Sequence, residues 1–303
     1  QIAEETLSRV LSMIVELLAF ISAFFYASNS VLVKIGLTRD ENSNATSAVA
    51  ISMLADLVFM WSAYLLSSPS FMVEALLVFG LAGILAQCLG RTLNYTGIQR
   101  LGVSVSTPIT GANPLFTALT AAILLNEIFA PPIYVGIILV VLGITLISRQ
   151  DAKQDRAGKL RKRNLLIPLA AAVSYGLAST MRKIGLNILD SPIGGATLGI
   201  SVAFAVYIPS LTLSGKIRNI SLNKRSSWFF MGAGVCTGLA WICNFTALSL
   251  GKVTVVTPIT GINPLIAILL SLLLLKNTEK ITYKIALGAL LVVLGITVIS
   301  AFK

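Results

Sequence analysis

The chain has no histidine, few charges and three cysteines, and each shortage closes a class of function. Without histidine there is no imidazole base, no His metal ligand and no His-containing nucleophile triad. Charged residues are 12% of the 303 residues, against ~25% in a typical soluble domain. That is too few to wet a globular surface of this size. Cys88, Cys236 and Cys243 fall inside apolar runs without metal-ligand spacing. They read as buried packing groups rather than a disulfide framework or a metal centre. No Gly-rich phosphate loop, no Gly-x-Ser-x-Gly and no clustered Asp motif is present. No metal, no cofactor and no enzymatic activity is expected.

What the chain does contain is apolar surface: 56% of its residues are hydrophobic, gathered in long runs. A run of about 20 apolar residues crosses a bilayer as a helix. Ten such spans are predicted, at 12–36, 45–67, 72–98, 103–126, 131–148, 165–186, 194–214, 227–249, 253–275 and 281–301. Glu4 and Glu5 stand where a cleaved secretory signal needs basic residues, so the first run reads as a span. The net charge of +11 lies mostly between the runs. Its densest stretch is Arg149–Arg163, where seven Lys/Arg face Asp151 and Asp155. Positive loops of this kind sit beside anionic lipid, so no nucleic-acid partner is expected.

The two halves repeat. Val103-Ser-Val-Ser-Thr-Pro-Ile-Thr-Gly-Ala-Asn-Pro-Leu115 matches Val253-Thr-Val-Val-Thr-Pro-Ile-Thr-Gly-Ile-Asn-Pro-Leu265 at 10 of 13 positions. Gly136–Ser148 matches Gly288–Ser300 at 10 of 13. Near the start of each half, Tyr26, Ser30 and Lys34-Ile35-Gly36-Leu37 align with Tyr175, Ser179 and Lys183-Ile184-Gly185-Leu186. The organisation expected is a first five-helix repeat over 12–149, a basic linker over 150–164 and a second repeat over 165–301. An odd number of spans per copy forces the second copy to enter from the opposite face. The fold expected is therefore all-α and integral to the membrane, ten transmembrane helices as a 5+5 inverted repeat. Inverted repeats place a transport site near the midplane between copies.

The paired Thr-Pro-Ile-Thr-Gly-x-Asn-Pro motif is the most specific signal. Pro108, Pro114, Pro258 and Pro264 each remove a helix donor and free the carbonyl four residues earlier. Gly111 and Gly261 loosen the backbone between them. Unwound backbone in hydrocarbon needs partners or water. Thr107, Thr110, Asn113, Thr257, Thr260 and Asn263 can satisfy that backbone or contact a solute. Asp56 and Arg91 lie inside spans 2 and 3, where a charge costs roughly 2.5–3.5 kcal/mol. They read as a structural ion pair, or as a substrate-charge or coupling site. Neither has a charged counterpart in the second copy, where Ala205 and Trp241 stand. Asn94, Asn244, Tyr26, Tyr175 and Trp241 are candidate substrate contacts that interhelical hydrogen bonding would equally explain; Gln87 reads as an interhelical group. Lys34, Arg182 and Lys183 read as snorkelling side chains at span ends. The Gly195–Gly199 and Gly234–Gly238 spacings read as seats for neighbouring helices.

The run from Pro114-Leu115 through Asn126-Glu127 to Gly136 and Gly143, repeated as Pro264-Leu265 through Thr278-Glu279 to Gly288 and Gly295, resembles the EamA family of the drug/metabolite transporter superfamily. The resemblance spans both halves. Lys276-Asn277-Thr278-Glu279-Lys280 departs from the family's usual Gly-Glu turn. It implies export or exchange of small metabolites such as amino acids across the cell membrane, often coupled to protons or another solute. The leading expectation is thus a secondary transporter of a small polar metabolite working by alternating access. A passive channel or lipid scramblase is the alternative, and an integral-membrane enzyme a lesser one. The expected partners are a small-molecule substrate and the lipid bilayer, with a homodimer left open.

Orientation can be tested directly. Most Lys and Arg fall in the loops after odd-numbered spans, which the positive-inside rule places in the cytoplasm with both termini outside. The family resemblance implies cytoplasmic termini instead. On the charge count, a cysteine at Gln154 resists an impermeant thiol reagent in whole cells; strong labelling there reverses the orientation.

Overall fold

The structure, a computed structural model, describes residues 2–67, 74–125, 131–153, 158–189, 191–250, 256, 259–275 and 282–302. Every apolar run among them is helical. In lipid no water satisfies an exposed N–H or C=O, so a helix is the only single-segment solution, whatever the local content of Val and Ile. Span 1 is Ile2–Arg39 and span 2 Ala45–Ser67. Span 3 runs from 74 to 101, with a π-helical stretch Ile84–Gly90 between Glu74–Gly83 and Arg91–Leu101. Gly102, at φ 87°, turns the chain straight into span 4, a left-handed conformation that glycine adopts without penalty. Span 4 is broken into Val103–Thr110 and Asn113–Leu125. Spans 5 to 8 are Pro131–Lys153, Gly158–Ile188, Pro192–Leu213 and Lys224–Leu250. Ser191 caps span 7, its Oγ accepting from the Gly194 N–H at 3.2 Å. Span 9 is described beyond its break as Asn263–Leu274, and span 10 is Tyr283–Ala301. Among the described residues six helices are long and apolar enough to cross a membrane, and Pro131–Ile147, Asn263–Leu274 and Tyr283–Ile299 are shorter apolar helices.

Several helices run past the bounds read from apolar character. Span 1 begins by Ile2 rather than 12, and spans 5 and 6 reach to Lys153 and back to Gly158. The basic stretch read as a linker over 150–164 is thus largely helical, with 154–157 outside the described residues. Lys, Arg and Gln are good helix formers, so a helix leaving the hydrocarbon continues through them. The turns at Asn126-Glu127 and Thr278-Glu279 also lie outside the described residues.

Packing follows the inverted repeat. Span 1 packs on span 8, and span 6 on span 3; span 2 packs on span 8, and span 7 on span 3. The second half of span 4 packs on span 6, and its counterpart in span 9 on span 1. Span 5 packs on its own counterpart, span 10. Each contact therefore recurs with the copies exchanged, the rule of a two-fold interface. Glycine makes the crossings close. A Cβ on Gly136 would stand 2.7 Å from the Gly295 carbonyl, and one on Gly143 2.6 Å from that of Gly288. Because Gly136 and Gly143 correspond to Gly288 and Gly295, these two contacts are copies of each other. Gly195 seats the Phe79 ring, and Gly238 that of Phe59, so both GxxxG spacings serve packing. The outer faces carry exposed Leu66, Leu77 and Leu213, as a lipid-facing surface requires.

The seam between spans 5 and 10 yields a stability prediction. Gly143→Ala and Gly295→Ala each insert a methyl against a backbone carbonyl and lower stability by about 1–3 kcal/mol. Gly232→Ala meets nothing nearer than Leu32 Cδ1 at 3.5 Å and leaves it unchanged or slightly higher. Thermal melting in detergent measures all three.

Candidate functional site

Spans 1, 3, 4, 6, 8 and 9 enclose a cavity of about 320 Å³, within the range of small-molecule sites. Much of its wall comes in pairs from the two copies. Tyr26 and Tyr175, Ser30 and Ser179, Asn94 and Asn244, Thr110 and Thr260, Asn113 and Asn263 all line it. Gly111 and Gly261 line it as well, and Pro264 Cγ stands 3.0 Å from where a Gly111 Cβ would be. The breaks of the two Pro-containing spans therefore meet at the cavity. Thr107 lines it with a buried hydroxyl that has no partner among the described residues. Thr257 lies outside the described residues.

The breaks fall where the prolines and glycines direct, at Gly111–Ala112 and Gly261–Ile262. Asn113 Nδ2 donates to the Thr110 carbonyl at 3.3 Å, and Asn263 Nδ2 to the Thr260 carbonyl at 3.2 Å. These are the carbonyls that Pro114 and Pro264 leave without a helical donor. Each asparagine thus does two things: it closes its own helix break and faces the cavity. An amide wholly free for solute is not what the geometry gives. Thr110 Oγ1 reaches Asn94 Oδ1 at 3.3 Å, tying the break to span 3.

Asp56 and Arg91 do meet. Arg91 Nη2 lies 2.5 Å from Asp56 Oδ2, with both side chains buried. Arg91 lines the cavity; Asp56 sits behind it and does not. The π stretch Ile84–Gly90 ends at Arg91. An extra residue in a turn rotates the remainder of the helix by about 100° relative to a plain α-helix. Span 8, the counterpart, is α-helical throughout Lys224–Leu250, so this rotation belongs to the first copy alone. The bulge also opens backbone: the Leu85 carbonyl accepts from Ser174 Oγ at 2.6 Å.

Arg182 departs from the reading as a snorkelling side chain. Its guanidinium stacks 3.9 Å over the Trp241 ring and lines the cavity, as Trp241 does. The number of residues to the end of an apolar run is a poor guide to depth when the helix continues beyond it. Asn29, Tyr95, Gln87 and Thr237 also line the cavity, although their sequence positions do not mark them for it. Asn29 Nδ2 donates toward Tyr95 OH, the Ala233 carbonyl and Thr237 Oγ1, each at 2.8 Å. The one available signal is an Asn within a span, three residues from Tyr26 of the repeat motif.

Two inverted five-span copies closing on one polar cavity are the architecture of a membrane transporter. A family model described as the EamA-like transporter family matches residues 13–149 and 162–301. The chain belongs to that family, a drug/metabolite-type membrane transporter with a small-molecule substrate in a multi-pass fold. A solved structure titled only as a crystal structure of a protein aligns over 94% of both chains with TM-score 0.63 and 15% identity, a likeness of fold. No curated protein matches the sequence.

The ion pair carries its own test. Asp56→Asn and Arg91→Gln should each cost about 3–5 kcal/mol by stranding a buried charge. The double variant should recover most of that loss in a double-mutant cycle of melting temperatures. Additive losses would show that the two charges act independently.

Proposed function

We propose that this protein is a secondary transporter that exports or exchanges a small polar metabolite, such as an amino acid, across the cell membrane. The cavity between the repeats is the solute site, and it opens alternately to each face. One observation carries the reading: matched residues of both copies line one polar cavity, and the two helix breaks meet there. A solute bound among such pairs meets nearly equivalent surroundings from either side. A modest rocking of one copy against the other then changes which side is open. Asn113, Asn263, Thr110 and Thr260 supply donors and acceptors to the solute. Asn94, Asn244, Tyr26, Tyr175 and Trp241 shape its remaining surface. Asp56 holds Arg91 in position and needs no proton-carrying role of its own.

A thermal-shift screen of purified protein against metabolites identifies the solute, since a ligand of the native state raises apparent stability. Counterflow of that solute in proteoliposomes then separates a carrier from a passive channel or scramblase. Asn113→Ala and Asn263→Ala should each cut counterflow at least about tenfold. Each variant also loses its helix-break cap, at a cost of about 1 kcal/mol, and should remain folded. Normal counterflow in both variants would remove the paired asparagines from the site.

A further inference from the structure

The charges around the cavity do not balance. Among the described residues its wall holds two arginines, Arg91 and Arg182, and no aspartate or glutamate. Asp56, behind the wall, neutralises Arg91 through Nη2. Arg91 Nη1 is buried and without a partner among the described residues. Arg182 has no acidic partner among the described residues either. Among the described residues one cation is therefore left uncompensated inside a membrane-embedded space. Such a charge is costly unless something pairs with it.

We propose that Arg182 and Trp241 form an oxyanion subsite that binds the carboxylate of the solute. The stacking supplies the geometry. With its Cζ 3.9 Å over the indole centroid, the guanidinium presents five N–H donors in a rigid planar fork. A planar carboxylate approaching edge-on meets two of them at once, the bidentate arrangement that guanidinium favours. Trp241 is itself braced by Phe245, centroids 5.1 Å apart, so the stacked pair is held rather than loose. A single uncompensated charge suits a carboxylate better than a phosphate dianion. The site is also where the copies differ: Trp241 occupies the position of Arg91, and Arg182 that of Val33. The paired residues build the space, and the unpaired ones give it a sign.

This inference rests on the transporter reading for what becomes of the solute, and its test does not. In a Trp61→Phe/Trp228→Phe background only Trp241 fluoresces, since the chain has three tryptophans. Iodide, caesium and acrylamide then probe it as anion, cation and neutral quencher. Iodide should quench Trp241 more strongly than caesium. Arg182→Gln should lower the iodide constant about threefold or more by removing the local excess of anions. Acrylamide quenching should stay within error, which reports an intact fold, and Arg182→Lys should retain most of the iodide effect. At constant ionic strength acetate should protect against iodide, inorganic phosphate less, and acetamide not at all. Equal quenching by iodide and caesium, or an unchanged iodide constant in Arg182→Gln, overturns the anion subsite. Stronger protection by phosphate overturns the carboxylate assignment. If the quenching pattern holds while counterflow fails, the carrier reading falls and the anion site stands. If counterflow holds without the pattern, the carrier moves a solute that Arg182 does not bind.

Discussion

Backbone-to-backbone contact through glycine governs this molecule. In lipid, apolar side chains gain nothing from burial against each other that lipid tails would not also supply. Helices associate where they can approach closely. Gly136 against Gly295 and Gly143 against Gly288 bring spans 5 and 10 together at that distance. Gly195 and Gly238 let Phe79 and Phe59 close onto spans 7 and 8. The two contacts between spans 5 and 10 are inverted copies of each other. The two halves are therefore held in one relation by many close crossings, reinforced by hydrogen bonds such as Ser22 Oγ to the Ala240 carbonyl and Ser174 Oγ to the Leu85 carbonyl. Other polar groups of spans 1, 3, 4, 6, 8 and 9 face the space between them.

The cavity follows from a second constraint. A helix broken in hydrocarbon must settle its freed carbonyls, and here each break does so with its own asparagine. Because inversion brings spans 4 and 9 together, two breaks share one location, and the polarity each needs becomes part of the cavity wall. Symmetry alone would make that wall neutral and two-sided. The π stretch before Arg91 and the Arg182–Trp241 stack break the symmetry and place charge on it.

Much of this is legible in the residues alone. The ten spans come from run length, the inversion from an odd number of spans per copy, and the helix breaks from Thr-Pro-Ile-Thr-Gly-x-Asn-Pro. The Asp56–Arg91 pair comes from the cost of two lone charges. Direction is what the residues do not carry. A span that is apolar on most sides has no periodic stripe to say which face looks inward, so Asn29, Gln87 and Thr237 give no hint of converging. Arg182 reads as terminal when its helix is judged by the end of an apolar run. The π turn over Ile84–Gly90 carries no motif that its α-helical counterpart in span 8 lacks. The double duty of Asn113 and Asn263 requires the geometry of the break itself.

The proposed carrier mechanism requires that the shared cavity be reached from both faces, one at a time. Ser179 lines it, so Ser179→Cys in a background lacking Cys88, Cys236 and Cys243 reports on access. An impermeant thiol reagent is applied to right-side-out and to inside-out membrane vesicles. Labelling from both faces, in vesicles that stay tight to ions, is the predicted result. Labelling from one face only, or labelling from both with steady ion leakage, would contradict alternating access around this cavity.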